Sequence, residues 1–132
     1  PIWQQITKRF EHALNFGIGG DRTQHLLWRI TNGELNFAHR PRCSVLMIGT
    51  NNLDSDPPHL IVKAALKTAD IIASATRETV LLIGIPPRSK SKDNTIRKKA
   101  DEVNRILSAT PVNGERVKFI PFPDVLTNAG TF

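Results

Sequence analysis

Cys43-Ser44-Val45-Leu46-Met47-Ile48 runs straight into Gly49-Thr50-Asn51-Asn52. The first six residues are nearly all apolar, and so short a run reads as a strand covered on both faces, as in a parallel sheet. The next four put a glycine and two side-chain amides at the strand's C-terminal end. Open α/β sheets place their ligands at that end. An earlier stretch has the same form. Ala13-Leu14-Asn15-Phe16 reads as a short strand, and Gly17-Ile18-Gly19-Gly20 as a turn that takes the backbone where glycine goes most easily.

Working outward, helices alternate with strands. Ile2 to His12 carries Ile2, Ile6 and Phe10 at helical spacing. Asp21 is placed to cap a helix from Arg22 to Asn32 that stops at Gly33 and buries Leu26, Leu27 and Ile30. Pro57-Pro58 opens a long helix in which Ile61, Ala64, Ala65, Thr68, Ala69, Ile72 and Ala75 keep helical period. Thr79 to Ile85 is the clearest strand, ended by Pro86-Pro87. Arg88 to Asp93 is an exposed loop. Asn94 to Ser108 is a helix that turns Ile96, Ala100, Val103 and Leu107 inward, and Val117 to Phe122 is a last strand. The order α-β-α-β-α-β-α-β implies parallel strands with right-handed crossovers. The fold class is therefore a three-layer α/β/α domain with a parallel sheet, flavodoxin-like in outline. Residues 1–132 form one domain.

Composition narrows the function classes. With 39% hydrophobic residues the chain can bury a core, and no apolar run is long enough to suggest a membrane span. No basic stretch leads into an apolar one at the N-terminus, so no secretory signal is expected. The first residue is not Met, so the chain is expected to begin inside a longer parent. The single cysteine, Cys43, rules out an internal disulfide framework, fits a reducing, cytoplasmic compartment, and reads as a small core residue. The net charge of +6 makes nucleic acid or an anionic membrane surface a conceivable partner. Arg88, Lys90, Lys92, Arg97, Lys98 and Lys99 are the residues that would serve it. Interspersed Asp93, Asp101 and Glu102 make a solvated face the simpler reading.

The stretch His12-Ala13-Leu14-Asn15-Phe16-Gly17-Ile18-Gly19-Gly20-Asp21 resembles the SGNH (GDSL-type) hydrolase family, specifically its intracellular platelet-activating-factor acetylhydrolase branch. Thr23-Gln24-His25, Leu27-Trp28-Arg29 and Asn32-Gly33-Glu34-Leu35 continue that likeness. Gly49-Thr50-Asn51-Asn52, Leu81 to Arg88, Arg97-Lys98-Lys99 and Val103-Asn104 extend it over essentially the whole chain. The resemblance implies a serine esterase acting on short acyl esters, such as an acetylated lipid, with no cofactor and no metal. It implies that the Gly20 backbone N–H and the Asn51 side-chain N–H are the oxyanion donors. A homodimer is a further implied partner.

Two family blocks are not in this sequence. No Gly-Asp-Ser, which carries the family's nucleophile, occurs anywhere, and Gly20-Asp21 is followed by Arg22. The chain ends at Thr131-Phe132, where the resemblance places the Asp-x-x-His block just beyond. Asp56-Pro57-Pro58-His59 has that spacing but lies after the Asn51 loop. Helix capping by Asp56 and a solvated His59 explain it more simply. His12, His25 and His39 show no metal-ligand spacing, and Ser44, Ser55 and Ser89 have no elbow motif around them. The fold is thus expected to be incomplete at both ends, lacking a first strand that the family sets between the second and third. Either residues outside this sequence supply that strand or the sheet rearranges. An oxyanion hole without nucleophile and base leaves only residual catalysis, so this chain alone is expected to hydrolyse esters poorly or not at all. Three function classes stay open: an SGNH esterase, an inactive SGNH-fold module for binding or oligomerisation, and a nucleic-acid-linked protein of the retrotransposon-encoded kind.

Overall fold

In the computed structural model, three parallel strands lie in the order β1 (Cys43–Leu46), β2 (Thr79–Ile83), β3 (Val117–Ile120). The structure describes residues 2–88, 91, 93–112 and 114–122. The helices are α1 (Ile2–Arg9), α2 (Thr23–Thr31), α3 (Pro58–Thr76) and α4 (Thr95–Ala109), with a 3₁₀ turn at Thr50–Asn52. Parallel neighbours cannot be joined by a hairpin, so α3 and α4 carry the chain back between them. The α/β class with a parallel sheet is as the alternation of elements implies.

Register explains where the core sits. Ser44, Val80 and Val117 lie side by side, as do Leu46, Leu82 and Phe119. Leu46, Val80, Leu82 and Val117 on that face are buried. Helix α3 packs on this face and touches both α2 and α4. Its buried stripe runs Ile61, Val62, Ala65, Thr68, Ala69, Ile72, Ala73, Thr76. Small residues along the stripe let the helix come close to the sheet, and Thr68 and Thr76 turn their hydroxyls back to the carbonyls of Ala64 and Ile72. Ala100, Val103 and Leu107 of α4 and Ile30 of α2 complete the cluster. Asn94 caps α4 by accepting from the amides of Ile96 and Arg97.

Several expectations are corrected. Ala13–Phe16 forms no strand, and Leu14, Phe16 and Ile18 are exposed. A strand needs a neighbour to take its backbone groups. β1 pairs with β2 on one side and with nothing on the other among the described residues. Second, β1 is not covered on both faces: Val45 is 71% exposed and Met47 48%. Cys43 is exposed for the same reason, sharing that uncovered face with Val45 rather than sitting in the core. Third, Asp21 does not cap α2. Arg22 occupies that position without a side-chain cap bond, and Asp21 pairs with Arg29 instead. The amphipathic α1 ends at Arg9, short of His12, and buries no residue.

The end of β2 is extended by a side chain. Asn104 accepts the Ile85 N–H at 2.8 Å and donates to the Ile85 carbonyl at 2.9 Å. Ile85 is 2% exposed, so neither group has water to fall back on. Asn104→Asp keeps the acceptor and turns the donor into a second acceptor. It is expected to cost about 1–3 kcal/mol, read as a lower urea midpoint at unchanged slope.

Candidate active site

Two loops converge where the strands end. One holds Gly17 to Thr23 and the other Gly49 to Asp56. Gly20 is exposed with φ +83°, a left-handed conformation that glycine adopts without strain. Asn51 is half-buried in the 3₁₀ turn, and its Nδ2 donates to the Asp21 carbonyl at 2.8 Å. Arg22 Nε answers by donating to the Asn51 carbonyl at 3.0 Å, and its Nη2 reaches Ser55 Oγ at 2.8 Å. The Thr23 amide, an orphan donor at the start of α2, donates to Asn52 Oδ1 at 3.0 Å. Bonds between the two loops therefore tie Asn51 to Asp21, the residue that follows Gly20. A primary amide has two N–H groups. Asn51 spends one on the Asp21 carbonyl.

Beneath the first loop the Asp21 carboxylate pairs with Arg29, which also pairs with Glu34. His25 Nδ1 accepts the Arg22 N–H at 3.3 Å and lies 3.8 Å from Asp21.

The second loop is held by cations from three directions. Besides Arg22, Lys99 Nζ donates to the carbonyls of Leu53 and Asp56 at 2.7 and 3.2 Å. Arg88 Nη1 donates to the Thr50 carbonyl at 3.2 Å and pairs with Asp54. Four backbone carbonyls of one short loop thus take a cationic donor. The same contacts bear on the basic stretch. Arg88 and Lys99 serve this loop and Lys98 pairs with Asp93, while Lys90 and Lys92 fall outside the described residues.

Asp56 and His59 do not act together. Asp56 takes a hydrogen bond from Asn52 Nδ2 at 2.5 Å and one from Ser55 Oγ at 2.8 Å. His59 is exposed on the first turn of α3. Pro57, not Asp56, holds the N-cap position of α3. The Asn52 bond, then the Ser55 bond, hold the Asp56 carboxyl below its ordinary 3.8. A depressed carboxyl adds stability above its unfolded value and loses it as pH falls through the folded one. Asp56→Asn is expected to flatten the loss of stability below pH 3.8, followed by urea unfolding across the acid range. Ser55, tied to both Arg22 and Asp56, is a structural link. Ser44 is half-buried in β1, and Ser89 lies outside the described residues.

Asn52, Lys99 and Asn104 are named in the sequence analysis, but their contacts with the loops and strand end are not read there. The doublet Asn51-Asn52 held the signal for the first, since adjacent side chains of a 3₁₀ turn point in different directions.

A parallel α/β domain with a glycine turn and an asparagine turn laced together at its strand ends defines a class of hydrolase scaffolds. The chain belongs to the GDSL-like lipase/acylhydrolase family, whose model matches residues 2–131. It is 36% identical over 121 residues to platelet-activating factor acetylhydrolase IB subunit alpha1 of Rattus norvegicus, covering 90% of this chain and 50% of that protein. The Homo sapiens alpha1 subunit gives the same identity and the same coverage. The alpha2 subunit of Rattus norvegicus is 35% identical over 109 residues, 83% of this chain and 46% of that protein. The chain spans about half the length of the curated relatives it matches. No described helix is long and apolar enough to cross a membrane.

Proposed function

We propose that this chain is the oxyanion-binding half of an SGNH-type serine esterase that removes short acyl groups, with an acetylated phospholipid as the substrate class. Gly20 offers its backbone N–H and Asn51 its free side-chain N–H to the oxygen that becomes negative as a nucleophile adds to the ester carbonyl. The observation that carries this is the Asn51–Asp21 bond with its return from Arg22. It sets the amide at the shoulder of the glycine turn and leaves one N–H unspent. The relatives' printed names supply the acetyl ester. The serine and its His–Asp partners come from residues that this sequence does not contain. We place the serine's strand along the edge of β1 that no described strand pairs with. The reading places the protein in the cytoplasm, and association between subunits belongs to it.

A graft tests this. The matching half of the Rattus norvegicus alpha1 subunit is replaced by this chain, and p-nitrophenyl acetate hydrolysis is measured beside the 132-residue chain alone. The graft is expected to turn over and the chain alone to stay near background. An inactive, folded graft would favour the binding-module alternative. Turnover by the chain alone would call for a nucleophile within it.

A further inference from the structure

Resting on that reading of Asn51, we propose that Asn52, backed by Asp56, is the positioning residue that holds Asn51 in its working rotamer. Asn52 is 0% exposed, although its side chain is an amide. A buried amide must spend its donors and acceptor on the protein. Its Oδ1 takes the Thr23 N–H, which ties the 3₁₀ turn to the first residue of α2. The Gly20–Asp21 turn leads directly into that helix, so one bond fixes the spacing of the two loops. Its Nδ2 donates to the Asp56 carboxylate, with Gln24 Oε1 at 3.1 Å and Thr23 Oγ1 at 3.2 Å around it. Two hydrogens face three acceptors. The charged one takes a full bond because charge-assisted bonds are stronger, and the other two share the second hydrogen.

Asp56 in turn is anchored. Ser55 Oγ donates to its other carboxylate oxygen, and Lys99 holds its backbone carbonyl. The chain of contacts therefore runs Lys99, Asp56, Asn52, Thr23, and it ends beside Asp21, whose carbonyl holds the Asn51 amide. Turning Asn52 would let α2 shift away from the 3₁₀ turn and would lengthen that last bond. Asn52 and Asp56 touch no reacting atom here; they act through Asn51.

The test uses the ¹⁵N-labelled 132-residue chain and follows solvent exchange of the Asn51 side-chain amide by NMR. Asn52→Ala is expected to speed that exchange at least tenfold while the core methyl signals of Leu82 and Val103 stay dispersed. Asn52→Asp sets two carboxylates against each other and is expected to do the same. The double variant Asn52→Asp/Asp56→Asn restores one donor–acceptor pair and should return exchange to within threefold of the parent. A merely structural role would lower the melting temperature without moving the Asn51 signal selectively, and the swap would not restore it. Should Asn52→Ala not fold, Asp56→Asn decides. This milder change keeps a neutral bond and is expected to raise exchange at least threefold. Asn51 exchange that rises by less than these factors, or a swap that fails to restore it, overturns the proposal. In the esterase graft, loss of activity in Asn51→Ala with none in Asn52→Ala would overturn this inference alone. No loss in Asn51→Ala would overturn the oxyanion reading beneath it.

Discussion

Asn51→Ala in the esterase graft should lower kcat for p-nitrophenyl acetate by about 10²–10³-fold and leave KM within a few-fold. The ground-state ester carbonyl is neutral and gains little from one more amide donor. The tetrahedral intermediate carries a full negative charge on that oxygen, and removing one preorganised donor costs about 3–4 kcal/mol of barrier. The loss therefore falls on kcat. A rise in KM at constant kcat would mean that Asn51 binds ester and transition state alike, and the oxyanion role would be withdrawn. Asn51→Asp sharpens the test. It places a carboxylate where negative charge develops and turns the bond to the Asp21 carbonyl into a contact between two oxygens. It should be slower than Asn51→Ala and less stable as well. Under that reading the Gly20 N–H survives both changes, so a residual rate above background is expected.

How much of this was legible depended on whether a residue's role was local. Helix α4 could be read because Ala100, Val103 and Leu107 share one face and Asn94 caps its own helix. The turn at Gly49 and the position of Asn51 followed from an apolar run meeting a glycine. Ala13–Phe16 has the same local pattern as a strand and is not one, because strand formation is a property of pairs. The neighbour that would take its hydrogen bonds is not next to it. Cys43 was misplaced for the same reason: an apolar run says that a strand wants cover, not that cover is present. Asp21 has the chemistry of a cap, but Arg29, eight residues on, offers a charge-assisted partner and wins. The contacts of Asn52 with Thr23, Asn104 with Ile85 and Lys99 with Leu53 span 29, 19 and 46 residues of sequence, and no periodicity encodes them.

Gly49→Ala should destabilise the chain by about 2–5 kcal/mol, the sum of a backbone and a packing term. Gly49 has φ +106°, where an L side chain costs about 1–2 kcal/mol. A Cβ there would stand 2.6 Å from Ile61 Cγ2 and 3.3 Å from Ile85 Cδ1. Ile61 is 1% exposed and Ile85 2%, so neither can swing into solvent, and overpacking of this kind costs about 1–3 kcal/mol. Gly20→Ala is the control. It shares a positive φ, but its Cβ would meet nothing within 4 Å, so it should cost only the backbone term. Gly49→Asn separates the two terms, because asparagine tolerates the left-handed region better than alanine. If the collision with Ile61 dominates, Asn will be no milder than Ala. Urea midpoints for the four proteins decide it. Ile61→Ala removes the colliding methyl and leaves a cavity, so Gly49→Ala/Ile61→Ala should cost less than its two parts added. Strict additivity would mean that the loop moves instead of the core. The Asn52 amide, which donates to the Gly49 carbonyl at 3.0 Å, would then move with it, and Asn51 would be displaced too. One methyl group at the first residue of the second loop would then lower both stability and, in the graft, kcat.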